Sequence, residues 1–281
     1  MIYYKATINW CENDYVYSSV IAEFWNTLTG LCLCVSPVLF YYNKYGNVHL
    51  SELKNIFVYT FMVGVGTILF HSTLLYIFQI VDEIPMLLVC VEYYMLLSRI
   101  ELLNVDKINW VRGINKNRVN TKGNLFKLYI MFIFISGYIN NTLQILLFQF
   151  TVGLFVFILC IKFKKIYTVN YNIYYKLTNI KNDMEKESLY HYSIMYKLIA
   201  LKNTLKKIVQ IRKRLTLLKN RGLLLGLCSI IIWNIDNEYC EVVNKYFNGH
   251  AMWHILTSIS LYVVNEIVLL NFEFNDLIKM K

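Results

Sequence analysis

Seven apolar runs separated by polar connections constrain this chain more than any motif it carries. They cover residues 24–42, 56–76, 84–97, 128–139, 143–163, 222–235 and 252–272. A bilayer core about 30 Å thick is crossed by about 20 mostly apolar residues in a helix. The composition agrees, with 57% hydrophobic and 16% charged residues, where soluble domains carry about 25% charged. The pattern predicts an all-α fold, a seven-transmembrane helix bundle forming one domain over residues 1–281. The first 20 residues are polar and aromatic, include Glu12 and Asp14, and lack the apolar centre of a cleavable signal peptide. The first span is therefore expected to act as the insertion signal.

The net charge of +10 follows the membrane rather than a nucleic acid. With seven spans, the N-terminus and loops 2, 4 and 6 share one face, which holds only Lys5 and Lys245. The other 26 of the 28 basic residues fall on the opposite face. Cytoplasmic loops carry the Lys/Arg excess, so the N-terminus is expected in a lumen and the C-terminus in the cytoplasm. Residues 164–221, between the fifth and sixth spans, form a basic loop insert with the runs NIKNDMEKES and LKKIVQIRKRL. Their polarity reads as a solvated, partly disordered insert. The helical spacing of the second run leaves open a helix lying on an anionic membrane surface.

Three of the five histidines sit at span ends on the lysine-poor face: His71 closes the second span, and His250 and His254 open the seventh in GHAMWHIL. An i,i+4 pair puts two imidazoles about 6 Å apart on one side of a helix. That suits two positions of a tetrahedral zinc, and a third histidine from another helix leaves the fourth open for water. The plainer alternative is three interfacial histidines. The same face collects eight acids, including Glu12, Asp14, Glu23, Asp82, Glu83 and Asp236; they read as a solvated rim or as ligands and neighbours of a divalent cation. Five cysteines lie inside apolar runs and read as small buried residues. Cys11 and Cys240 lie outside them on the lysine-poor face and are expected to form a disulfide if that face is lumenal. Glu92 and Glu266, inside spans, are expected to hydrogen-bond within the bundle.

Four blocks carry a family resemblance: NWCENDYVYSSVIAEFWNT from Asn9 to Thr27, GTILFHSTLLYIFQIVDEIPM from Gly66 to Met86, WNIDNEYCE from Trp233 to Glu241, and HAMWHILT from His250 to Thr257. In this order they resemble the alkaline ceramidases. These belong to a superfamily that includes the adiponectin receptors, and the WCE and AEFWNT blocks favour the ceramidase branch. The insert at 164–221 lies outside the resemblance. The resemblance implies zinc ligands at His71, His250 and His254. It implies an acid orienting the attacking water at Asp82, and a hydroxyl at Thr67 where the family usually has serine. It also implies a calcium site built from Asn9, the Trp10 carbonyl, Glu12, Asp14 and Glu23. The acid and amide usual at the first and fourth of these positions are exchanged here.

The implied activity is zinc-dependent hydrolysis of the ceramide amide bond to a sphingoid base and a fatty acid. The partners would be a ceramide-type lipid substrate and the surrounding membrane lipids, with no nucleic acid and no obligate protein partner. The location would be the endoplasmic reticulum or Golgi. The rival readings are a receptor of the adiponectin-receptor type and a channel or transporter. Against the transporter stand the lack of repeated halves and of helix pairs broken by glycine or proline.

Overall fold

The computed structural model describes residues 5–8, 10–109, 129, 132, 141–187, 192–240 and 248–279. These hold six α-helices: α1 (Phe24–Asn43), α2 (Lys54–Thr73), α3 (Tyr76–Asn109), α4 (Asn141–Glu187), α5 (Tyr192–Glu238) and α6 (Gly249–Lys279). One isolated antiparallel pairing, Lys5 with Leu75, is the only β-type feature among the described residues.

Five segments are long and apolar enough to cross a bilayer: Phe24–Asn43, Leu50–Thr73, Leu146–Lys186, Met195–Asp236 and Gly249–Ile278. The protein is therefore a multi-pass membrane protein. The expected third span, 84–97, lies within α3, which has the length but is interrupted by Asp82, Glu83, Glu92, Arg99 and Glu101. The expected fourth span, 128–139, falls almost wholly outside the described residues.

The largest departure from expectation is at 164–221. Instead of a partly disordered loop, the structure shows α4 and α5, each 47 residues long. At 1.5 Å per residue each runs about 70 Å, roughly twice a bilayer core. The expected sixth span, 222–235, is only the end of α5. The insert folds because its few apolar residues recur at helical spacing: Leu198, Leu201, Leu205, Ile208, Leu215 and Leu218 are all buried. Ile208 packs with Ile173 of α4 and Phe274 of α6, so the C-terminal turns of α6 give the hairpin a third wall.

At this end several acids are paired with bases. Glu52 meets Arg99 at 2.5 Å, Glu101 meets Lys162 at 3.2 Å and also Lys165, and His49 meets Asp276 at 2.7 Å. Glu266 bonds Lys44 at 3.0 Å and also Arg214, tying α6 to α1 and α5.

At the opposite end, α2 stops at Leu74, whose φ of 53° is left-handed. A helix end leaves carbonyls without partners. The N-terminal segment supplies donors to the α2–α3 corner: Ala6 N–H donates to Leu74 O at 2.9 Å, Ala22 N–H to Ser72 O at 3.1 Å and Glu23 N–H to His71 O at 2.9 Å. Thr7 N–H adds a bond to the Gln79 side chain at 2.8 Å. The segment is thereby laid across the histidines.

Candidate metal centre

His71 comes from the last turn of α2, and His250 and His254 from the first turns of α6. Their ligand atoms all lie within 4.8 Å of one another, the one such cluster among the described residues. All three are buried, at 1%, 4% and 1% exposure.

Their surroundings orient the rings. Glu23 Oε2 lies 2.5 Å from His71 Nδ1. A carboxylate accepts, so that nitrogen carries the proton and Nε2 offers its lone pair. Thr29 Oγ1 lies 2.9 Å from His254 Nδ1 and donates to Trp25 O at 2.9 Å. The hydroxyl oxygen is left to accept from the imidazole, again freeing Nε2. His250 is held by stacking, with Trp10 3.7 Å away between centroids and 16° from parallel. Its Nδ1 is buried without a hydrogen-bond partner. Three buried imidazoles facing one another, one with an orphaned nitrogen, suit a soft-to-borderline divalent ion such as zinc.

Asp82 reaches this cluster through a close helix crossing. A Cβ added to Gly66 of α2 would stand 2.6 Å from Asp82 Cα in α3, so only glycine lets the backbones approach this closely. The crossing brings Asp82 Oδ1 to 2.7 Å from Thr67 Oγ1. Thr67 lies one turn before His71, on the same side of α2. The next acid, Glu83, is engaged elsewhere: it accepts from Gln79 at 2.7 Å and from Gln144 at 3.1 Å.

Four of the expected calcium residues, Trp10, Glu12, Asp14 and Glu23, lie near one another, but two of them have further work. Glu12 accepts from Trp25 N–H at 2.6 Å and Asn26 N–H at 2.8 Å, capping the free amides of α1 from outside the helix. Glu23 accepts from Trp10 N–H at 3.2 Å and the Asn26 amide at 2.9 Å besides meeting His71. Burial pushes the Glu12 carboxyl up, with the Trp25 and Asn26 amides opposing and nearby Glu23 adding to the rise. Burial and Glu23 likewise raise Asp14, against the pull of Lys5. Asp14 Oδ1 and Asn26 Oδ1 are buried without partners. Crowded carboxylates with orphaned oxygens suit a hard cation such as calcium. Asn9 lies outside the described residues.

A disulfide joins Cys11 to Cys240, with Cα atoms 5.2 Å apart. It fastens the N-terminal segment to the end of α5. Asp236, one turn before Cys240, packs against Gly249 at the start of α6, with both carboxylate oxygens buried and without hydrogen-bond partners. A Cβ on Gly249 would meet Asp236 Oδ1 at 2.6 Å.

Sequence reasoning missed three supports: Thr29, the contact of Glu23 with His71, and the seat of Asp236 at the α6 N-terminus. The AEFWNT and WNIDNEYCE blocks contain or adjoin all three, but nothing in their local pattern says which histidine each serves.

Comparison with known proteins identifies the family. The sequence profile of the ceramidase family matches residues 3–273. Alkaline ceramidase 3 of Mus musculus is 24% identical over 276 residues, covering 92% of this chain and 80% of the mouse protein. An alkaline ceramidase of Saccharomyces cerevisiae is 40% identical over 104 residues, 36% of this chain and 33% of the yeast protein. The alkaline ceramidase of Drosophila melanogaster is 36% identical over 85 residues, 30% of each chain. The chain thus aligns with about a third of the yeast and fly proteins and with most of the mouse one. Because the family match takes in five of the six described helices, most of α6 and all three clustered histidines, the chain belongs to the ceramidase family of hydrolases.

Proposed function

We propose that the protein hydrolyses the amide bond of a ceramide to a sphingoid base and a free fatty acid, with zinc held by His71, His250 and His254. The observation that carries this reading is the convergence of three buried imidazoles from two helices within 4.8 Å. Bound zinc supplies a Lewis acid and lowers the pKa of its water to about 7. Asp82 accepts a proton from the attacking water at its carboxylate. As the C–N bond breaks, it passes that proton to the departing sphingoid nitrogen. The Thr67 hydroxyl, now donating to Asp82, is the donor placed to turn toward the developing oxyanion, a role worth about 3–4 kcal/mol. Glu23 and Thr29 hold two histidines in the tautomer that binds metal.

Calcium, held by Asn9, the Trp10 carbonyl, Glu12, Asp14 and Glu23, would neutralise the carboxylates beside the zinc ligands. Two short spans, 84–97 and 128–139, complete a seven-helix count. The lysine distribution favours a lumenal N-terminus and a cytoplasmic C-terminus, in the endoplasmic reticulum or Golgi.

Metal analysis of the purified protein, combined with ceramide turnover, tests the reading. Stoichiometric zinc and turnover lost on chelation are expected. Undiminished turnover in a metal-free preparation, or in Asp82→Ala, overturns it.

A further inference from the structure

The N-terminal segment contains a loop that no part of the proposed chemistry uses. Residues 15–22 read YVYSSVIA and carry no charge. The loop is closed by Tyr15 N–H donating to Ala22 O at 2.7 Å. It is braced from within, because Ser18 Oγ accepts from Val20 N–H and Ile21 N–H, each at 3.2 Å. Ordered in this way, it still turns its apolar side chains outward: Val16 is 62% exposed, Tyr17 61% and Val20 80%. An exposed loop in water is normally polar, and a fixed apolar tip marks an interaction surface.

Its position identifies the partner. The Tyr17 ring lies 5.7 Å from both Phe24 and Trp25 in the first turn of α1. From Trp25 an exposed apolar stripe continues down α1 through Leu28, Val35, Leu39 and Tyr42, at the spacing of one helical face. That face of a membrane-spanning helix meets lipid. The loop extends the same stripe past the end of the span, at the depth where tyrosine and tryptophan belts sit in headgroups.

We infer that residues 15–20 form an anchor that inserts into the headgroup layer of the leaflet at the histidine end. The side chains in contact with lipid are Tyr15, Val16, Tyr17 and Val20. The segment carrying Glu12, Asp14 and Glu23 is then held at three points: the α2–α3 corner, the Cys11–Cys240 disulfide and the lipid. The partner is the bilayer itself, and the inference requires only that α1 spans it.

Hydroxyl-radical footprinting of the unmodified protein in phosphatidylcholine nanodiscs tests this without a mutation. Tyr17 and Tyr175 are equally exposed, at 61% and 60%, but Tyr175 lies on the hairpin beyond the expected span of α4. Oxidation of Tyr17 at least fivefold slower than Tyr175 is expected; equal rates overturn the anchor. A second measurement uses nitroxide labels at Val20→Cys and Asn13→Cys, with the five free cysteines replaced by alanine. In vesicles, oxygen should relax the label at 20 several-fold more effectively than a nickel chelate, and the order should reverse at 13. A chelate that reaches both labels equally places the loop in water, free for a protein partner, and removes the lipid assignment.

Discussion

The two ends of the bundle treat their acids in opposite ways. At the basic end, Glu52, Glu101 and Glu266 each meet a lysine or arginine. At the histidine end, Glu12 is met by backbone amides, Glu23 by an imidazole and amides, Glu83 by glutamines and Asp82 by a hydroxyl. Lys5 is the only lysine or arginine in that region among the described residues. An ion pair satisfies charge and geometry together, and it finishes the local electrostatics. Amides and hydroxyls satisfy geometry while leaving most of the negative charge uncompensated. The first arrangement closes a helix bundle; the second leaves it able to attract and hold cations.

The sharpest break between the ends should come from His254→Ala. Loss of one imidazole leaves two ligands, so zinc content and ceramide turnover should both fall below detection. Next in size is Thr29→Val, which keeps the shape and removes the partner of His254 Nδ1. A fall of about 10–100-fold in zinc affinity is expected, read by competition with a chelator. Thr29→Ser should restore most of it, which a purely packing role would not predict.

Gly66→Ala forces α2 and α3 apart where the added carbon would stand 2.6 Å from Asp82 Cα. A stability loss of about 1–3 kcal/mol is expected. Turnover should fall while zinc content holds, since the histidines do not depend on that crossing. Calcium at about 100 times its Kd should add about 2.7 kcal/mol to stability, seen as a higher melting temperature that Asp14→Asn diminishes. The smallest effect should be Arg214→Ala at the other end. Its side chain is half exposed, and Lys44 still pairs with Glu266, so a cost of about 1 kcal/mol or less is expected. A turnover loss as large as that of Thr29→Val would end the distinction between the two ends.

The legible parts of this protein were those whose signal is local. The pair His250 and His254 is visible because four residues make one helical turn, and the lysine bias because charge density needs no coordinates. Thr29 was hidden because its partner is 225 positions away and the two meet only when α1 packs on α6. The hairpin was misread for a related reason. Its polar composition resembles that of a solvated loop, and the apolar residues that hold it find part of their wall in Phe274 of another helix.

The amino-acid sequence by itself determined the membrane class, the family, and the residue types available for a metal, since hydropathy and motif are properties of neighbours along the chain. Tertiary structure alone decided which acid faces which histidine, that the backbone at Gly66 admits Asp82, and that 164–187 and 192–221 are packed helices. These depend on distances between helices, and such distances are settled by the packing of whole faces.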